Sequence, residues 1–192
     1  MAVAISQDEL LLELLMRTEG KAEIINGRVV QELPTGEKLG YAGDSITASL
    51  WVYVEGVERG RAIGDNKGFL CDLPHRRSFS PDAAYYTGPR GEMKFYPEPP
   101  VFAVEVRSEN DYGRVAEEEM AQKRADYFAA GTLVVWDVDL QSEEVVRVYT
   151  AQSSTQARVF RRGELANAEP AVPGWLMSVD RLFRPEWEDN TD

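Results

Sequence analysis

Apolar residues recur along the chain in two periods, and each period predicts one kind of element. Apolar positions three and four residues apart predict helices, whereas alternation or a short continuous apolar run predicts strands. The helical pattern covers residues of about 7–17, 39–57 and 114–130. The strand-like runs are 21–25, 28–33, 61–64, 68–71, 79–86, 101–106, 133–138, 145–149 and 157–160. The segments 171–175 and 178–183 close the pattern, and the polar tail 184–192 is expected to fray.

Residues that favour caps and turns mark the ends of these elements. Ser6 followed by Glu9 is a capping-box signature at the start of the first helix. Asn26-Gly27, between two strand-like runs, is typical of a tight hairpin because both turn residues need a positive φ. Gly131 stands where a glycine commonly ends a helix, here the third one. These signals support the boundaries that the apolar pattern predicts.

The order of the elements predicts the fold class. The strand 101–106, the helix 114–130 and the strand 133–138 form a strand–helix–strand unit, which implies a parallel crossover. Hairpins near both ends imply antiparallel additions to the same core. We therefore expect one α/β domain over residues 1–192, with its core at about 20–183. Its mixed β-sheet is flanked by helices and carries N- and C-terminal antiparallel hairpins.

Composition excludes several kinds of site. Among the 192 residues there is one cysteine, Cys71, and one histidine, His75. A disulfide framework, a cysteine-rich zinc site and a multi-histidine centre are therefore excluded. Carboxylates remain as the main candidate metal ligands, and they favour hard cations such as Mg²⁺ or Mn²⁺.

Charge and hydropathy bear on partners and location. The formal net charge of −12 argues against unspecific coating of nucleic acid, although it leaves room for a local basic cleft. No apolar run reaches the roughly 20 residues of a membrane span, and the N-terminus lacks the basic region of a signal peptide. We expect a soluble cytoplasmic protein with no membrane partner.

The most informative residues are acidic ones at positions that should be buried. Glu105 interrupts the apolar run 101–106, and Asp82 follows Pro81 at or near the start of another strand. A buried carboxylate is costly unless it meets a cation, a hydrogen-bond network or a proton. Two carboxylates at adjacent strand ends, with Lys123 from the following helix, can hold Mg²⁺ and act on a phosphodiester.

Beyond this chemistry, the chain resembles known proteins. Pro81-Asp82 followed by Val104-Glu105-Val106 resembles the PD-(D/E)XK nuclease pattern. The whole chain resembles the Uma-two family of restriction-endonuclease-like bacterial proteins. The segments that carry this resemblance are Glu23-Ile24-Ile25-Asn26-Gly27, Pro34-Thr35-Gly36, Gly68-Phe69, Ser80-Pro81-Asp82, Val104-Glu105-Val106-Arg107-Ser108, Lys123, Tyr127-Phe128-Ala129-Ala130-Gly131, Val135-Trp136-Asp137-Val138-Asp139 and Pro173-Gly174-Trp175.

The resemblance implies a restriction-endonuclease-like fold and a set of site residues. It implies Asp82 and Glu105 as ligands of Mg²⁺ or Mn²⁺, with the Val106 carbonyl as a third ligand. It also implies Lys123 as the working lysine and Glu23 as a further acidic residue of the site. DNA is the implied substrate. Nucleases of this fold often act as dimers, and the contacts offered for a homodimer are the aromatic residues Tyr85, Tyr86, Tyr96 and Trp187.

Two departures from the family pattern stand out. In the PD-(D/E)XK pattern the third motif residue is usually a lysine, and Arg107 stands at that position here. In the Uma-two family the same position is usually apolar. The segment Lys38-Leu39-Gly40-Tyr41 lacks the histidine that many relatives carry near the start of the long helix. Together with the net charge, these departures keep a second function class open, namely a non-catalytic interaction protein on a nuclease scaffold.

Each singled-out residue also has a purely structural interpretation. Asp82 can cap a turn after Pro81, and Glu23 can cover a hairpin edge. Glu105 can form a structural salt bridge to Arg107 or Lys123. Lys123 can instead pair with Glu119 on a solvated helix face. The loop of His75, Arg76 and Arg77 can contact phosphate or simply be solvated. These alternatives differ in where the side chains point.

Overall fold

The computed structural model describes residues 6–91 and 94–183 of the chain. The helices are α1 (Gln7–Arg17), α2 (Glu37–Val57) and α3 (Arg114–Ala129). The strands are β1 (Ala22–Ile25), β2 (Arg28–Gln31), β3 (Arg61–Gly64), β4 (Phe69–Leu70), β5 (Ser78–Phe79), β6 (Ala83–Tyr86), β7 (Phe102–Val106), β8 (Val134–Val138), β9 (Val146–Thr150), β10 (Ser153–Phe160), β11 (Leu165–Asn167) and β12 (Leu176–Ser178). The expectation for the tail 184–192 lies outside the described residues.

A six-stranded mixed sheet forms the centre of the fold. Its strand order is β10-β9-β8-β7-β6-β3. β7 and β8 are parallel and are joined by α3, whereas the other neighbours in this sheet are antiparallel. The expected parallel crossover and mixed α/β class are confirmed.

Successive residues of the central strands face opposite sides of the sheet. Val104 and Trp136 lie in the apolar cluster that includes Ile46 of α2. Ala103 and Val135 lie in a second cluster, on the other face. Because side chains alternate along a strand, Glu105 points to the same face as Ala103, which is the face that α3 covers. The sheet thus presents the acidic residue to the helix that carries Lys123.

The N-terminal hairpin adds a further wall on this side of the sheet. Its turn residues have φ values of 49° at Asn26 and 68° at Gly27, as the sequence predicts. Two hydrogen bonds join the backbone of β1 to the start of β5 and to the residue before it. The Ile24 N–H donates to Ser78 Oγ at 2.8 Å, and the Arg77 N–H donates to the Ile24 carbonyl at 3.0 Å. These bonds fix the hairpin against β5, which pairs with β4 in a separate two-stranded sheet, and they fix the position of Glu23 with it.

The run 79–86 is split in two in the structure. β5 ends at Phe79 and β6 starts at Ala83, with Pro81 and Asp82 between them. Proline has no N–H to donate to a ladder, which explains the interruption. The split leaves Asp82 directly before β6, outside the strand.

Two of the aromatic residues offered as exposed dimer contacts are buried, so that expectation is wrong. Tyr85 and Tyr86 are 2% and 0% exposed, because β6 is an inner strand with covered faces. Tyr96 is partly buried and stacks on Phe69 at a centroid distance of 4.7 Å. Trp187 lies outside the described residues.

Among the described residues, no helix is both long and apolar enough to cross a membrane.

Candidate active site

Asp82 and Glu105 reach one cleft from neighbouring segments of the sheet. Asp82 directly precedes β6 and Glu105 lies in β7, and these two strands are antiparallel with Ala83 paired to Val104. The Asp82 N–H donates to the Val104 carbonyl at 3.0 Å, and the Val106 N–H donates to Asp82 Oδ2 at 2.6 Å. Both carboxyl groups line a cleft of about 870 Å³.

Lys123 reaches the same cleft from α3. Its Nζ lies 2.9 Å from Glu105 Oε2 and 3.1 Å from Glu23 Oε1. Tyr127 lies four residues further along, and therefore on the same helix face, and its hydroxyl donates to Glu105 Oε1 at 2.7 Å. The four candidate catalytic residues, Asp82, Glu105, Lys123 and Glu23, therefore meet at one place. Their roles remain predictions.

Glu23 points into the protein rather than along a hairpin edge. It is 2% exposed, and its Oε1 accepts the Ser80 N–H at 2.8 Å. Its Oε2 accepts a hydrogen bond from Arg76. Burial raises the pKa of Glu23, but Lys123 and Arg76 outweigh that cost and hold it below the usual value. Glu23 is therefore a charged buried group that ties Lys123 to the sheet.

Arg76 is also turned inward, so the prediction of a phosphate-contacting loop does not hold for it. It is 5% exposed, and its Nε donates to Asp126 Oδ2 at 2.8 Å. His75 lies beside the same carboxylate, with Nε2 at 2.8 Å from Asp126 Oδ1. The positive charge of Arg76 thus compensates the buried carboxylates of Glu23 and Asp126, and it does not face a ligand.

Arg107 does not replace the usual motif lysine. Its side chain is 3% exposed, and its guanidinium donates to both oxygens of Asp137, at 2.7 and 2.8 Å, and to Glu117. These partners draw Arg107 towards β8 and α3. Of the two salt bridges considered for Glu105, the structure contains the one to Lys123.

Lys21 is a site residue that the sequence analysis missed. Its Nζ lies 2.5 Å from Asp82 Oδ1, 3.2 Å from Asp65 Oδ1 and 3.4 Å from Glu32 Oε2. Burial lowers the pKa of Lys21, but Asp82, Glu105 and Glu32 raise it well above the ordinary value. No local signal marks Lys21, because its partners Asp65 and Asp82 lie far away in the sequence.

Burial makes the negatively charged form of the Glu105 carboxyl group unfavourable. Burial raises its pKa to about 7, Lys123 offsets part of that rise, and Asp82 adds to it. A carboxyl group in this state gains from any further cation beside it. Even with Lys123 beside it, Glu105 therefore either holds a proton near neutral pH or gains from a further cation.

This pKa leads to a prediction about stability. In the unfolded chain Glu105 ionises near its usual pKa of about 4.5. In the fold it keeps its proton up to about pH 7, so its contribution to stability is present below 4.5 and is lost as the pH rises through 7. The Glu105→Gln variant has no carboxyl group at this position and does not lose this contribution. Between pH 4 and pH 8 its unfolding free energy should therefore rise by about 3 kcal/mol relative to that of the wild type.

Denaturant unfolding of the metal-free proteins at several pH values measures this difference. Glu119→Gln is the matched control, because Glu119 is exposed on the same helix as Lys123. Its difference from the wild type should stay nearly constant with pH. Parallel pH curves for Glu105→Gln and the wild type would contradict the raised pKa.

The donor set of the cleft suits a hard divalent cation. In the described ranges 6–91 and 94–183, no three His, Cys, Asp or Glu side chains form a ready-made metal cluster. Mg²⁺, however, commonly keeps several waters and binds through one or two carboxylates. Two lysines here contact five carboxylates, those of Glu23, Glu32, Asp65, Asp82 and Glu105. The local excess of negative charge fits an additional cation.

The sheet with its crossover helix and carboxylate–lysine cleft places the protein in the nuclease-fold class. A solved structure, described as a putative nuclease belonging to DUF820 from Anabaena variabilis ATCC 29413, is similar in fold. Its TM-score is 0.71 at 22% identity, and the match covers 94% of this chain and 98% of that one. The family model Uma2, described as "Putative restriction endonuclease", matches residues 8–180. The chain belongs to this family. No curated protein matches it.

Proposed function

We propose that the protein is a divalent-metal-dependent DNA endonuclease that hydrolyses phosphodiester bonds. One observation supports the proposal most strongly: Asp82, Glu105 and Lys123 line one cleft, with Lys123 Nζ at 2.9 Å from Glu105 Oε2. Membership of a family described as restriction endonucleases supports a nuclease activity. The metal, the reaction and the residues that carry it are the parts that we propose.

Three groups are the proposed metal ligands. The carboxylates of Asp82 and Glu105 and the Val106 carbonyl would hold Mg²⁺ or Mn²⁺ at the cleft, which all three residues line. When bound, such an ion polarises a phosphodiester and lowers the pKa of a bound water. Asp82 is pre-oriented for this role, because its Oδ2 is fixed by the Val106 N–H.

The chain's own residues supply positioning and charge. Lys123 is placed to orient the attacking water and to stabilise negative charge that develops on the phosphoryl oxygens. Glu23 holds the Lys123 ammonium in the cleft at 3.1 Å, and burial fixes Glu23 in turn. Tyr127 donates to Glu105 Oε1 and thereby leaves the rotation of that carboxylate little freedom. The site is therefore largely preorganised.

The family description supports DNA as the substrate, and the cleft chemistry is compatible with it. Several basic residues line the cleft, although the chain as a whole is acidic; they include Lys21, Lys123, Arg107 and Arg124.

A homodimer remains part of the proposal because cutting both strands of a duplex favours paired sites. Since Tyr85 and Tyr86 are buried, they are not its contacts.

Plasmid nicking tests the proposal directly. The purified protein should convert supercoiled DNA to the open-circle form with Mg²⁺ or Mn²⁺, and EDTA should stop it. Asp82→Asn removes one proposed ligand charge and should lower the rate by at least about 100-fold.

Asp72→Asn is the matched control for this experiment. The Asp72 side chain is 91% exposed and pairs with Arg77 away from the cleft residues, so this variant should nick like the wild type. Nicking that survives EDTA, or equal rates for Asp82→Asn and the wild type, would contradict the proposal.

A second candidate function is a catalytically inactive interaction protein on the same fold. The observation that favours it is that lysine ammonium groups already pair with both carboxylates, Lys21 with Asp82 and Lys123 with Glu105. Calorimetric titration with Mn²⁺ separates the two functions. Binding that is lost in Asp82→Asn supports the nuclease, and no heat of binding together with no nicking supports the inactive protein.

A further inference from the structure

The ammonium group of Lys21 lies where a cation is most strongly attracted. Its Nζ lies near three carboxylates, with Asp82 at 2.5 Å, Asp65 at 3.2 Å and Glu32 at 3.4 Å. The Lys21 side chain is 8% exposed, so little water competes for these contacts. A cation held by carboxylates in a dry site has the same electrostatic role as a bound metal ion.

Both oxygens of Asp82 already accept a hydrogen bond while Lys21 is in place. Its Oδ2 accepts the Val106 N–H at 2.6 Å, and its Oδ1 accepts the Lys21 ammonium at 2.5 Å. A metal ion that binds Asp82 Oδ1 must therefore share that oxygen with a positive charge or displace it. Like charges at such separations repel strongly in a buried site.

Two further carboxylates lie close to the Lys21 ammonium group. Glu32 and Asp65 both lie within 3.4 Å of its Nζ, and both are more exposed than Asp82, at 36% and 35% against 13% of their side chains. A small outward shift of the ammonium group would break the contact with Asp82 and keep these two partners. The carboxylate pair is thus a second site for the same charge.

We propose that Lys21 is an internal cation that competes with the divalent ion for Asp82 and so sets the metal concentration at which the site fills. The inference rests on the proposed function above, because it concerns the metal that this function requires. On metal binding, the Lys21 ammonium leaves Asp82 and stays with Glu32 and Asp65. In the metal-free protein the same lysine stabilises the cluster of carboxylates.

Titration calorimetry of the full chain with Mn²⁺, without DNA, tests this competition. Lys21→Met keeps the length of the side chain and removes the charge, so Mn²⁺ should bind at least about tenfold more tightly than to the wild type. Lys67→Met is the matched control. Lys67 is exposed and its Nζ donates to the backbone carbonyl of Asp65 at 3.2 Å, so its loss should change the affinity by less than about twofold.

The outcomes separate this inference from the proposed function. Tighter Mn²⁺ binding by Lys21→Met supports the inference even if no variant nicks DNA, in which case the proposed function alone fails. A wild type that nicks DNA, with equal or weaker Mn²⁺ binding by Lys21→Met, overturns the inference alone. If neither protein binds Mn²⁺, the inference is overturned as well.

A measurement on the wild type covers the case in which Lys21→Met does not fold. With ¹⁵N-labelled lysine ammonium groups, the Lys21 signal should shift in a saturable way as Mg²⁺ is added. The Lys67 signal should not shift. A Lys21 signal that stays unchanged at saturating Mg²⁺ overturns the inference.

Discussion

Replacing Glu105 with glutamine is expected to lower metal-dependent nicking of plasmid DNA by at least about 1000-fold. The substitution keeps the shape of the side chain and removes its negative charge. It takes away one of the two carboxylates proposed to hold the metal, and it also removes the charged partner of Lys123 at 2.9 Å. Because two elements of one site are lost together, the effect should exceed that of removing a single hydrogen bond.

Glu109→Gln is the control for this experiment. Glu109 lines the same cleft but is exposed at its rim. The same change of charge there should leave the nicking rate within about twofold of the wild type. Comparable losses in both variants would show that overall charge, and not the paired carboxylates, limits the reaction.

Replacing Arg76 with methionine is expected to lower the free energy of unfolding by about 3–5 kcal/mol. The guanidinium of Arg76 pairs with Glu23 and Asp126, and each of these carboxylates is 2% exposed. Methionine fills much of the volume but leaves two buried negative charges without their arginine. Breaking a buried ion pair from one side carries the full cost of the stranded charge. Denaturant unfolding at neutral pH measures the loss.

The neighbouring residue offers a matched control. Arg77 is one-third exposed and pairs with Asp8 and Asp72 at the surface. Surface ion pairs contribute little, so Arg77→Met should cost less than about 1 kcal/mol. Equal destabilisation by the two variants would contradict the structural role assigned to Arg76.

The main features of the fold follow from local patterns in the sequence. The apolar runs around 101–106 and 133–138, with a helix between them, require a parallel pair, and the structure contains it. Asn26-Gly27 defines its hairpin because few other dipeptides accept two positive φ values. Asp82 and Glu105 were identifiable as a pair because buried carboxylates without partners are too costly to occur by chance.

What could not be predicted depends on contacts between distant segments. Lys21 meets Asp82 across 61 positions of sequence, and Arg76 meets Asp126 across 50. A basic residue near a turn has the same local pattern whether it faces water or a buried carboxylate. Tyr85 and Tyr86 were misjudged for a related reason, since only the strand order shows that β6 is an inner strand. Charge compensation is a tertiary property, and periodicity does not encode it.

The central claim is that Asp82 and Glu105 together hold a divalent ion beside Lys123. An anomalous-difference map from crystals grown with Mn²⁺ tests it most directly, because the signal locates the metal without reference to activity. We expect a single strong peak within coordination distance, about 2.0–2.3 Å, of both carboxylates. A map with no peak in the cleft, or with manganese bound away from both residues, would contradict it.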